Sequence, residues 1–132
     1  MAKRSVIMLL VFCVGFCLCF GREAVAKEAP EAIKVSAVLS LTGMFAGLAK
    51  QAYEAYQIYT NKINSEGGVF VKEFNKKLPI DLKIYDDEST GVKTQSQLEA
   101  ANSWGAVANL GGIGCTSFEM GTPIAQKNKM VW

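Results

Sequence analysis

Two glycine-punctuated stretches hold the residues best suited to chemistry. Gly111-Gly112-Ile113-Gly114-Cys115-Thr116-Ser117 lies between an expected strand and an expected helix. Main-chain N–H groups at a helix start have no intrahelical acceptor and favour an anion, and the hydroxyls of Thr116 and Ser117 add two donors. The same geometry serves plain capping of the helix by Thr116 or Ser117. Ser40-Leu41-Thr42-Gly43-Met44-Phe45-Ala46-Gly47 breaks an earlier strand at the same expected sheet edge, and Phe45 there is suited to plugging the top of the next helix. Asp86-Asp87-Glu88 could suggest a cation site, but an acidic run at a strand end reads first as a solvated turn and helix start. Gly111-Gly112-Ile113-Gly114 lacks the full glycine fingerprint of a dinucleotide loop and falls at the third strand instead of the first. The chain has no histidine, which removes His-dependent triads and most zinc sites. No nucleophile–base pair stands out, so a flavodoxin-like enzyme ranks last among the readings.

These stretches need strands and helices to hold them. Ile33 to Leu39 is a β-branched run of the length a buried strand wants. From Leu48 the spacing is helical, with Leu48, Ala52, Ala55, Tyr56, Tyr59 and Ile63 on the face to be buried and Lys50, Glu54, Gln57 and Asn61 opposite. Gly67-Gly68 stops this helix with a left-handed turn. Val69 to Pro79 is a connecting loop or short hairpin, and Ile80 to Tyr85 alternates as a second strand. Ser89 or Thr90 caps a helix over 92–103, whose stripe of Val92, Leu98 and Ala101 is thin. Ala106 to Leu110 is a third strand. A further helix runs from near Phe118 to Lys127, kinked at Pro123 or restarted there by Thr122, and Met130-Val131-Trp132 opens a fourth strand. The fold class is α/β, with a parallel sheet flanked by helices. An alternation that stops at a buried strand reads as the front piece of a longer protein, and residues 27–132 alone are expected to fold poorly.

The first residues stand apart. A basic Met1-Ala2-Lys3-Arg4, an apolar run from Val6 to Phe20 and a small-x-small Ala24-Val25-Ala26 together predict a signal peptide over 1–26, cleaved before Lys27. The apolar run is shorter than the ~20 residues of a membrane-spanning helix. Removing Lys3, Arg4, Arg22 and Glu23 takes away the whole net charge of +2, so no basic excess points to nucleic acid or an anionic membrane. Cys13, Cys17 and Cys19 leave too, and Cys115 remains alone, without a disulfide framework. The expected location is periplasmic or secreted.

Leu39-Ser40-Leu41-Thr42-Gly43, Ile63-Asn64-Ser65-Glu66-Gly67-Gly68, Tyr85-Asp86-Asp87-Glu88-Ser89 and Gly111-Gly112-Ile113-Gly114 with Pro123-Ile124-Ala125, in that order and spacing, resemble the substrate-binding proteins of ABC transporters. The branch is the leucine/isoleucine/valine-binding type, also called periplasmic binding protein type I, and the likeness runs from about Ile33 to Trp132. It implies two α/β lobes closing on a ligand, of which this chain supplies the front part of the first. It also implies that Gly114, Cys115, Thr116 and Ser117 grip the carboxylate of an amino acid or related small molecule. Thr42, Gly43 and Phe45 would line the cleft. The implied partners are that small molecule and a membrane ABC permease, with no cofactor, metal, nucleic acid or catalysis. An extracellular ligand-sensing domain of a receptor or signalling protein is the alternative, which the sequence beyond Trp132 would decide.

Overall fold

The computed structural model describes residues 28–132, so the leader predicted over 1–26 lies outside the described residues. β1 (Ile33–Leu39) is the central strand, with every residue from Val35 to Leu39 buried. It pairs in parallel with β4 (Ile80–Asp86), Ile33 opposite Ile80 and Leu39 opposite Asp86. On its other side β1 pairs in parallel with β5 (Ala108–Asn109), and the sheet order is β4-β1-β5. The third strand is shorter than the expected Ala106–Leu110, and the expected fourth strand reduces to one parallel bridge from Val131 to Ala108. Val69–Pro79 resolves into a hairpin, with β2 (Val69–Val71) antiparallel to β3 (Lys76–Leu78).

Three helices sandwich the sheet, α1 (Ala46–Ser65) on one face and α2 (Gly91–Trp104) with α3 (Cys115–Lys127) on the other. Strand alternation divides the core accordingly. Ala37 and Leu39 point toward Ala49, Ala52 and Tyr56 of α1, joined by Leu82 and Ile84 of β4. Val38 points to Leu98, Ala101, Ala106 and Met130 on the opposite side. Fully buried Leu39, Val38 and Leu98 each contribute roughly 1.5–3 kcal/mol of hydrophobic stabilisation.

The packed face of α1 keeps the expected Ala52 and Tyr56 and differs from expectation at its margin. Ala49 and Thr60 are buried, whereas Leu48 and Tyr59 are 61% and 66% exposed and Ala55 is exposed as well. Small side chains let the helix approach the sheet closely, and the larger ones are pushed to the flank. Gly67 and Gly68 do end α1, both at φ near +90°. The Gly67 N–H bonds the Asn64 carbonyl and the Gly68 N–H the Ile63 carbonyl, which is the Schellman arrangement. A Cβ on Gly68 would collide with the Leu78 carbonyl, so this glycine also seats α1 against the hairpin.

α2 starts one residue after Thr90, whose Oγ1 accepts from the Lys93 N–H, as the capping expectation had it. Its buried stripe is Thr94, Leu98 and Ala101, because Val92 is 72% exposed. α3 begins at Cys115, three residues earlier than expected, and runs unbroken through Pro123.

Candidate functional site

Both glycine stretches sit at the carboxyl edge of the parallel sheet, after β1 and after β5. Such an edge is where open α/β sheets bind ligands, since loops and helix starts converge there. Gly114 is the residue before α3, at φ 88° and ψ 150°, a conformation essentially confined to glycine. The position before the helix is a glycine with no side-chain cap, and Ser117, inside the first turn, does not play the capping part open to it in the sequence. Cys115 is the first helical residue and its side chain is exposed. Thr116 follows within the first turn; its side chain lies outside the described residues. The amides of Cys115 and Thr116 have no acceptor within the helix.

Ser117 faces inward. It is buried, and its Oγ lies 3.0 Å from the Ile113 carbonyl and 3.2 Å from Asp87 Oδ2, two acceptors that share its one hydrogen. The hydroxyl is therefore spent inside the fold, and what Ser117 offers the open edge is its main chain.

The β1–α1 loop is fastened from the neighbouring β4–α2 loop. The Thr42 Oγ1 donates to Asp86 Oδ2 at 2.7 Å, and the Thr42 N–H donates to Asp86 Oδ1 at 3.2 Å. Ser89 Oγ donates to the Thr42 carbonyl at 2.8 Å and accepts from the Phe45 N–H at 3.1 Å. Gly43, at φ 84°, permits this contact, because a Cβ there would stand 2.7 Å from Ser89 Oγ. Partial burial acts to raise the Asp86 carboxyl, but the Glu88 N–H, the Thr42 hydroxyl and N–H and the Leu41 N–H outweigh it. Asp86 is held below the ordinary aspartate value.

Phe45 bridges the two stretches. Its ring lies so close to Gly114 that a Cβ there would meet Cε2 at 3.1 Å and Cζ at 3.3 Å. The fold thus brings Phe45, with Thr42 and Gly43 behind it, to the start of α3. Beside this loop a hollow of about 530 Å³ is lined by Leu41, Ala46, Gly47, Lys50 and Tyr53. A second hollow, about 710 Å³ with Lys34, Phe74 and Asp81 among its walls, lies at the opposite, amino edge and touches none of the site residues.

The reading of Asp86-Asp87-Glu88 as a solvated turn holds for Glu88 and fails at Asp87, which is completely buried, while Asp86 is the half-buried last residue of β4. Its carboxylate accepts from Ser40 Oγ at 2.6 Å, the Ser89 N–H at 2.9 Å, Thr94 Oγ1 at 3.0 Å and Ser117 Oγ. The donors come from four segments 2 to 47 residues away along the chain, a convergence no local pattern announces. Among the described residues no group of three or more acids, cysteines or histidines is placed to hold a metal ion.

Solved structures share this fold. The branched-chain amino acid transporter substrate-binding protein LivJ from Streptococcus pneumoniae, in complex with isoleucine, superposes with a TM-score of 0.66 at 18% identity. The match covers 75% of this chain and 27% of that one. The fold is that of periplasmic binding protein type I. A fatty acid ABC transporter substrate-binding protein from Thermomonospora curvata matches at 0.66 and 24% identity, over 79% of this chain and 26% of its own. An ABC transporter solute-binding protein from R. palustris, in complex with benzoate, matches at 0.59 and 22%, over 75% and 26%. The chain thus spans about a quarter of the length of these structures, and at these identities the likeness is one of fold. Neither a family model nor a curated protein matches the sequence. The expected resemblance to substrate-binding proteins of ABC transporters is present in three dimensions. Among the described residues no helix is long and apolar enough to cross a membrane.

Proposed function

We propose that this chain is part of an exported solute-binding protein that captures an amino acid or related small carboxylate for a membrane ABC permease. The observation that carries the reading is the meeting of the Phe45 ring with the uncapped start of α3, at the carboxyl edge of a substrate-binding-protein fold. Amides without intrahelical acceptors suit a carboxylate, and an aromatic ring beside them suits the apolar body that carries it. The amides of Cys115 and Thr116 would hold the charge, Gly114 would let the Phe45 ring close on the helix start, and Phe45 would flank the ligand, with Thr42 and Gly43 fixing Phe45 in place. No residue of the site is assigned a catalytic step. The three relatives bind isoleucine, benzoate or, by name, fatty acids, and their common chemical element is one carboxylate on an apolar body. The protein would be periplasmic or secreted, with residues 1–26 removed and Lys27 first in the mature product.

Calorimetric titration of the full-length protein with isoleucine, benzoate and octanoate, each beside its uncharged amide, tests this. At least one acid should bind, and its amide should bind about ten- to a hundredfold more weakly, since a hydrogen bond to a charged group is worth roughly 1.5–3 kcal/mol. Acid and amide binding equally well, or none of the acids binding, would contradict the reading.

A further inference from the structure

We propose that Asp87 is a buried anion that offsets the positive end of α3 from within and so restricts the site to ligands of low net charge. The carboxylate is fully buried and has four donors within reach, Ser40 and Ser89 at Oδ1 and Thr94 and Ser117 at Oδ2, the last two sharing their hydrogens with the Thr90 and Ile113 carbonyls. An ionised aspartate accepts and never donates, and four donors fill its lone-pair positions. None of the four is a cation. Thr94 is the fourth residue of α2 and Ser117 the third of α3, so the carboxylate lies against the first turns of two helices. Each helix start carries roughly half a positive charge, and two of them balance about one negative charge. The amides of Cys115 and Thr116 keep their hydrogen-bonding capacity, but the field that would draw a multiply charged anion is already cancelled.

The ligand class that follows, which rests on the binding reading above, is a single carboxylate, alone or in a zwitterion. A phosphate- or sulfate-like dianion would meet Asp87 across one helical turn without compensation.

Asp87→Asn tests the charge while keeping the shape. The retained Oδ1 accepts the same two bonds, and the new amide donates to Thr94 and Ser117. Their own hydrogens can turn to the Thr90 carbonyl at 3.1 Å and the Ile113 carbonyl at 3.0 Å. The reporter is Cys115, exposed at the first position of α3, which alkylates as the thiolate and so senses the local potential. With iodoacetamide at neutral pH, followed on the Cys115 peptide by mass, the variant should react about three- to thirtyfold faster than the wild type. An unchanged rate in a variant with wild-type circular dichroism overturns the proposal. Should Asp87→Asn fail to fold, the ¹³C carboxyl resonance of Asp87 in the wild type decides: an ionised signal at neutral pH supports the proposal, and a neutral one overturns it. Neither readout uses a ligand. A failed carboxylate titration beside faster alkylation therefore counts against the binding reading alone, and the converse against Asp87 alone.

Discussion

Ser117→Ala separates a hydroxyl that serves the fold from one that serves a ligand. In the structure Ser117 is 2% exposed and its hydroxyl stands between the Ile113 carbonyl and Asp87, with Thr94 Oγ1 3.4 Å away. Alanine leaves Asp87 three of its four possible donors and removes the one hydrogen that Asp87 shares with the Ile113 carbonyl. A buried acceptor deprived of its donor costs roughly 1–3 kcal/mol, with the upper part of that span expected for a charged one. For a domain of about 150–250 residues each kcal/mol lowers the melting temperature by about 2–4 °C, which the full-length protein would show. Ser103→Ala is the matched control: its hydroxyl is exposed and bonds only the Glu99 carbonyl one turn back, so removing it should change stability by less than about 0.5 kcal/mol. Thermal melts of the two variants followed by circular dichroism make the comparison. If Ser117→Ala melts with Ser103→Ala, the hydroxyl is not part of the buried cluster and the inward placement of Ser117 is wrong.

Two further outcomes follow from the same geometry. Gly114→Ala should lower stability by about 1–3 kcal/mol, because alanine is strained at φ 88° and ψ 150° and its Cβ presses the Phe45 ring; urea unfolding reads this. Gly111→Ala, at φ 58° with open space around it, should cost only about 1–2 kcal/mol, and a larger loss there than at Gly114 would contradict the Phe45 contact. Asp86 is held below its ordinary value in the folded state, so its contribution is fully present above the unfolded value and disappears as pH falls through the lowered one. The stability gap between wild type and Asp86→Asn should therefore persist at pH about 6 and close only well below about 4, and a gap that closes above that range would refute the sign.

The strands were the most legible part of the chain, and for a plain reason. β1 and β4 are seven-residue runs whose hydrophobicity is visible without knowing their neighbours. The Schellman end of α1 and the Thr90 cap of α2 were equally local, since glycine pairs and capping hydroxyls act within a few residues. The face of α1 was read correctly at Ala52 and Tyr56 and misread at Leu48 and Tyr59, because hydrophobicity ranks leucine and tyrosine above the alanine and threonine that are buried at positions 49 and 60. The start of α3 was placed too late because Thr116 and Ser117 are good caps by type, and Gly114 caps by backbone alone. Candidate residues Thr42, Gly43, Phe45 and Gly114 lay on recognisable loops, but the Phe45–Gly114 contact joins positions far apart in sequence. Asp87 was hidden for the same reason: beside Asp86 it has the same chemistry, and only donors distant in sequence distinguish the fully buried one from its half-buried neighbour.

The most direct measurement is amide chemical-shift mapping of the full-length protein with benzoate or isoleucine, whichever binds in calorimetry. The largest changes on the described part of the chain should fall on the amides of Gly114, Cys115 and Thr116, accompanied by the ring protons of Phe45. Saturable binding whose changes centre on the amino-edge hollow around Lys34 and Asp81, leaving the α3 start unmoved, would contradict the account.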